Sequence, residues 1–133
     1  MHKVIFMMLL AVLSSNAMAE RTKWNLVTEW NESPNIALYV GPVTSYKGSN
    51  MVKMWHLWDF RYVHHAEDKK YLSETIENEY DCKEQLSRKH NHLAFSGNMG
   101  YGMIVYSNRN VENWDSVVPG TNGELVMKIA CGK

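Results

Sequence analysis

Cysteine is nearly absent from this chain. Its 133 residues hold two, Cys82 and Cys131, and no C-x-x-C spacing links them. That argues against a metal-binding or catalytic pair. An excess of charge of either sign is also missing: fourteen Lys and Arg face fourteen Asp and Glu, for a formal net charge of zero. Neither nucleic acid nor an anionic membrane surface is therefore expected as the main partner. Long apolar runs are missing too, because the unbroken stretch Val4–Leu13 is too short to span a membrane. No serine lies in a nucleophile-elbow pattern, so nothing points to nucleophilic catalysis.

What is present begins with a leader. His2 and Lys3 make a short basic start, Val4–Leu13 comes next, and Ala17-Met18-Ala19 is a small-x-small cleavage site. Residues 1–19 are thus expected to be a secretory signal peptide, leaving one domain over 20–133. No cysteine follows the apolar run, so a lipid anchor is not expected. Export places the two cysteines in an oxidising compartment, periplasm or cell surface, where one Cys82–Cys131 disulfide is expected.

The mature chain reads mainly as strands. Lys23–Trp30 alternates, with Trp24, Leu26, Thr28 and Trp30 on one side. Pro34 marks a turn, Ile36–Val40 is a second strand closed by Gly41-Pro42, and Lys47-Gly48-Ser49-Asn50 is a hairpin turn. Met51–Tyr62 is the most apolar stretch. One face carries Trp55 and Leu57, the opposite face Val52, Met54, His56, Trp58 and Phe60, so the strand is expected to be central and covered on both sides. His64–Lys70 reads as a polar connection and Tyr71–Tyr80 as a strand that runs on to Cys82. Lys83–Lys89 fits either a helical turn or a strand. Asn91–Ser96 and Met103–Tyr106 read as extended, and Ser107–Asn113 as a loop.

After Val117-Val118-Pro119-Gly120 comes the best helix signal. Thr121 with Glu124 three residues on is a capping box, and Leu125, Val126, Ile129 and Ala130 lie beyond it at helical spacing. Such a short helix is marginal alone and needs a sheet beneath it.

The blocks Val52-Lys53-Met54-Trp55, Tyr71-Leu72-Ser73, Glu79-Tyr80-Asp81-Cys82-Lys83, Phe95 through Gly102, and Trp114 through Cys131, in this order, resemble the surface-adhesin protein E family. The resemblance implies an α+β fold: a single antiparallel sheet of about six strands, with a C-terminal helix packed on one face and tied by one disulfide. It also implies binding of a protein partner, such as a host matrix or serum protein, or a homodimer. The blocks are structural, so the fold carries over better than adhesion does. A periplasmic structural or accessory protein without a host ligand is the alternative.

Other candidate chemistry is thin. Gly97-Asn98-Met99-Gly100-Tyr101-Gly102 looks like a phosphate loop but is followed by a β-branched strand rather than a helix, which points to a turn or bulge. His90 and His92 would share one face of a strand, with His64-His65 as further ligands, but surface histidines without metal are the expectation. Glu77 and Glu79 read as a solvated face rather than an acid/base pair. No enzyme activity, cofactor or metal is expected. The residues expected at a protein interface are Trp55, Trp58 and Phe60.

Overall fold

The sheet is built outward from one long strand. The computed structural model describes residues 22–30, 35–46 and 48–132; the leader expected over 1–19 and the turn at Pro34 lie outside them. Seven strands form one antiparallel sheet: β1 (Asn25–Glu29), β2 (Ile36–Ser45), β3 (Met51–Ala66), β4 (Lys69–Asp81), β5 (Leu86–Phe95), β6 (Ile104–Asn108) and β7 (Asp115–Ser116). The first six lie side by side in chain order, and the short β7 pairs with the start of β5. Among the described residues one α-helix, α1 (Asn122–Cys131), comes last. Among the described residues no helix is long and apolar enough to cross a membrane.

Several boundaries differ from expectation, each for a local reason. β2 does not stop at Gly41-Pro42. Its register against β3 slips between Val40 and Val43, and the slip accommodates a proline that has no N–H to give the ladder. His64–Lys70 is not a loop: β3 runs to Ala66, and Glu67, at φ 56°, turns the chain straight into β4. Polarity misleads there because the end of β3 is largely exposed. Lys83–Lys89 divides. Asp81 Oδ1 accepts the N–H groups of Lys83 and Glu84 (3.1 and 3.0 Å) to close a turn, and β5 begins at Leu86.

The two faces of the sheet are named here for Met54 and Trp55. On the Met54 face Leu38, Val40, Val52, Met54 and Tyr80 form one buried cluster with Val126, Met127 and Ala130 of α1. Thr121 caps the helix by accepting the Glu124 N–H (3.3 Å), as the capping pattern predicts. The stripe is rotated from expectation: Leu125 and Ile129 are 43% and 42% exposed, and Met127 is buried instead. The cause lies at the helix end. Cys131 is bonded to Cys82, and the residues one turn before Ala130 and Cys131 are Val126 and Met127.

On the Trp55 face, Leu57 is fully buried. Its cover is the segment Ser96–Gly102, whose Gly100 lies against the Leu57 side chain. This segment is tied to β3 and β4 by side chains. Ser73 Oγ donates to the Gly97 carbonyl (2.6 Å) and accepts the Gly100 N–H (2.9 Å). Asp59 Oδ1 accepts the Met99 N–H (2.8 Å) and the Asn98 amide (3.1 Å), and Asn98 also donates to the Phe60 carbonyl (2.8 Å). A Cβ at Gly102, where φ is 86°, would collide with Ser96 Oγ, the acceptor for the Met103 N–H. The segment is therefore a folded cover, as the strand after it implies, and several N–H groups that a phosphate would need are already bonded.

The Cys82–Cys131 bond closes a separation of 49 residues, worth about 4 kcal/mol in the chain-entropy treatment. Cys131→Ser should lower the urea midpoint accordingly, with the far-UV strand signal retained at low denaturant because the strand ladders do not depend on the bond. Loss of the strand signal would contradict this. A second expectation concerns His56. Asn78 Nδ2 donates to its Nδ1 (3.2 Å), so the neutral ring carries its proton on Nε2, against the Tyr80 hydroxyl (2.9 Å). Burial pushes its pKa down to about 4. The folded state thus resists a proton that the unfolded chain accepts near pH 6.5. This stability is present above pH 6.5 and is lost as pH falls towards 4, amounting to roughly 2 kcal/mol between pH 7 and 5. Urea midpoints at the two pH values should show that loss, and His56→Gln should remove most of it. Glu79 stabilises the fold at both of these pH values and loses that contribution only at lower pH: burial raises its pKa, but hydrogen bonds from His90 and Arg88 outweigh burial and hold it below the usual range.

Candidate binding cleft

β3 presents Trp55 at the middle of the face opposite α1. Its ladder partner on β4 is Glu77, and the next pair on the same face is Leu57 with Thr75, which in turn lies opposite Leu93 of β5. Trp55, Thr75 and Leu93 form the floor of a cleft of about 470 Å³, within the range of ligand sites. One wall is Trp24 with Pro42. The other is the Ser96–Gly102 cover, through Met99 and Tyr101, with Phe95 beside it. Among the described residues no charged side chain lines the cleft.

Local irregularities build each wall. β1 slips register between Leu26 and Thr28, which breaks the alternation expected for Lys23–Trp30. Trp24 consequently borders the cleft, whereas Trp30 packs into the core of the Met54 face against Trp58. Trp24 lies across Gly41, where a Cβ would come within 2.8 Å of its ring. On the opposite wall Met99 and Gly100, at φ 57° and 76°, curl the cover over Leu57 and leave Tyr101 52% exposed at the rim.

The three aromatics expected at an interface separate. Trp55 lines the cleft. Trp58 lies on the other face, stacked on Trp30 with centroids 6.2 Å apart. Phe60 is 4% exposed and packs between His64 (3.9 Å) and Tyr71 (5.7 Å). Sequence reasoning missed Trp24, Phe95 and Tyr101 as cleft residues. A usable signal existed for Tyr101, an aromatic held between Gly100 and Gly102.

Other groups considered for chemistry fall elsewhere. The register of β5 slips between the pairs Ile76–His92 and Asn78–Lys89, so His90 and His92 do not share a face. His90 meets Glu79 and His92 meets Glu74, each at 3.0 Å, and those carboxylates are on opposite sides of β4. Glu79 is not solvated as expected. It is 7% exposed and also accepts from Arg88 Nε at 2.6 Å, while the guanidinium lies 4.2 Å over Trp114. Among the described residues no group of three or more His, Cys, Asp or Glu is placed to hold a metal. A smaller cavity of about 310 Å³ on the Met54 face is lined by His56, Asn78, Tyr80 and Lys89 beside the first turn of α1. Among the described residues the buried Asn78 Oδ1 atom has no hydrogen-bond partner, and burial raises the Tyr80 pKa.

No curated protein matches the sequence. The crystal structure of protein E from non-typeable Haemophilus influenzae is similar in fold, with a TM-score of 0.56 and 11% identity over 84% of this chain and 85% of that one. The sequence profile of surface-adhesin protein E matches residues 24–132. The chain therefore belongs to the surface-adhesin protein E family.

Proposed function

We propose that this protein is an exported, non-enzymatic bacterial binding domain that recognises a protein partner, of the host-matrix or serum class, through the cleft on its Trp55 face. Residues 1–19 are its signal peptide, and α1 covers the face opposite the cleft. The observation that carries the reading is the cleft itself. It is an uncharged concavity walled by Trp24, Trp55, Phe95 and Tyr101, the residue types that act as anchors in protein interfaces. Family membership supports a binding role over a catalytic one. Of the three aromatics expected at an interface, Trp55 carries the proposal, because Phe60 is buried and Trp58 is stacked within the opposite face.

The test combines location and binding. Intact cells expressing the full chain are labelled with a membrane-impermeant biotin reagent, and the purified mature protein is titrated over immobilised matrix and serum proteins. Surface labelling is expected. Trp55→Ala should weaken the tightest interaction by more than about tenfold with the melting curve retained, whereas Leu125→Ala, on the exposed side of α1, should leave it unchanged. A protein recovered only from the periplasm and never labelled would overturn the adhesive reading in favour of a periplasmic accessory role. A partner that is a second copy would register as a concentration-dependent mass in light scattering, lost in the same Trp55 variant.

A further inference from the structure

We infer that the cleft on the Trp55 face takes a proline-rich segment in the polyproline II conformation. This rests on the proposed role of the cleft and names the chemistry of its occupant. The first observation is charge. Among the described residues the lining carries none, so the cleft offers no partner for a ligand's own charge, which would be costly to bury there.

The second observation is the donors. Trp24, Trp55, Thr22 and Thr44 line the cleft, and among the described residues no hydrogen bond engages their indole N–H or hydroxyl groups. An indole N–H can only donate. The complementary ligand therefore presents apolar bulk and free acceptors, and requires few acceptors in return. A helix consumes its carbonyls internally, and a β-strand pairs at a sheet edge, whereas this cleft lies on a sheet face. A polyproline II segment leaves its carbonyls unbonded, and proline has no N–H to satisfy. Such segments dock in aromatic-lined grooves. A sugar would stack on the same rings, but its paired hydroxyls call for carboxylate or carboxamide side chains, and the lining has neither.

The third observation is rigidity. Trp24 is held across Gly41, and the opposite wall is fixed by Ser73, Asp59 and Asn98 through hydrogen bonds of 2.6–3.1 Å. The aromatic walls are thus positioned before a ligand arrives. Polyproline II is itself preformed, so little conformational freedom is lost on docking.

The probe is a capped oligoproline of about ten residues, titrated into the ¹⁵N-labelled mature protein, with a Gly/Ser peptide of equal length as control. Binding in the range of about 10 μM to 1 mM is expected, with the indole N–H resonances of Trp24 and Trp55 moving and those of Trp30 and Trp58 remaining still. Trp55→Phe keeps a ring but loses the donor and should weaken binding about three- to tenfold. Gly41→Ala displaces Trp24 and should weaken it without altering the disulfide or the α1 resonances. Absence of saturable binding at millimolar oligoproline would overturn the inference. So would binding that is indifferent to both substitutions. If Trp55→Ala abolishes capture by the matrix and serum proteins while oligoproline does not bind, this inference falls and the proposed cleft function stands. If that capture is insensitive to Trp55, the cleft reading itself falls.

Discussion

A strand that is apolar on both faces cannot leave either of them in water, and β3 imposes that constraint on everything around it. Met54 and Leu57 are both fully buried, yet they point to opposite sides of one sheet. Two covers are therefore required, and they differ in kind. The Met54 face is closed by apolar packing of α1 residues, with a disulfide at the helix end. The Trp55 face is closed by the short segment Ser96–Gly102, held down by hydrogen bonds of the Ser73, Asp59 and Asn98 side chains. Because this second cover is small it screens Leu57 but not Trp55, and the uncovered remainder is the cleft.

The strand content, the central place of β3, the helix and its Thr121 cap were legible in the sequence because they rest on periodicity and local hydrogen bonding. The assignment of residues to faces was much less so. Each register slip reverses the parity of the residues beyond it, and three such slips decide the chemistry. One in β1 sends Trp24 and Trp30 to opposite sides, one at Gly41-Pro42 carries β2 onward, and one in β5 separates His90 from His92. Alternation in sequence contains no mark of where the extra residue sits, since a bulge is selected by its partner strand. The candidate site was legible only at Trp55. Its other walls come from residues distant in sequence that meet only after the slips are made.

Buried polar groups obey the same logic of tertiary placement. Glu79 read as a solvated carboxylate because its own strand says nothing about Arg88, His90 and Trp114, which close over it from β5 and the segment before β7. His56 is likewise a core residue, with its two ring nitrogens occupied by Asn78 and Tyr80. Both are satisfied structural polar groups, as expected where desolvation must be matched by hydrogen bonds.

The order of the strands also bears on how such a domain assembles. Each of the first six strands pairs with its neighbour in sequence, so a ladder can zip as each hairpin emerges, without waiting for distant chain, and local connectivity of this kind favours rapid folding. The cysteine that pairs with Cys82 is reached only after every strand has passed. The bond therefore ties the last element back to the turn between β4 and β5, across the 49 positions that separate the two cysteines, and adds a long-range covalent constraint to a sheet built from local pairings.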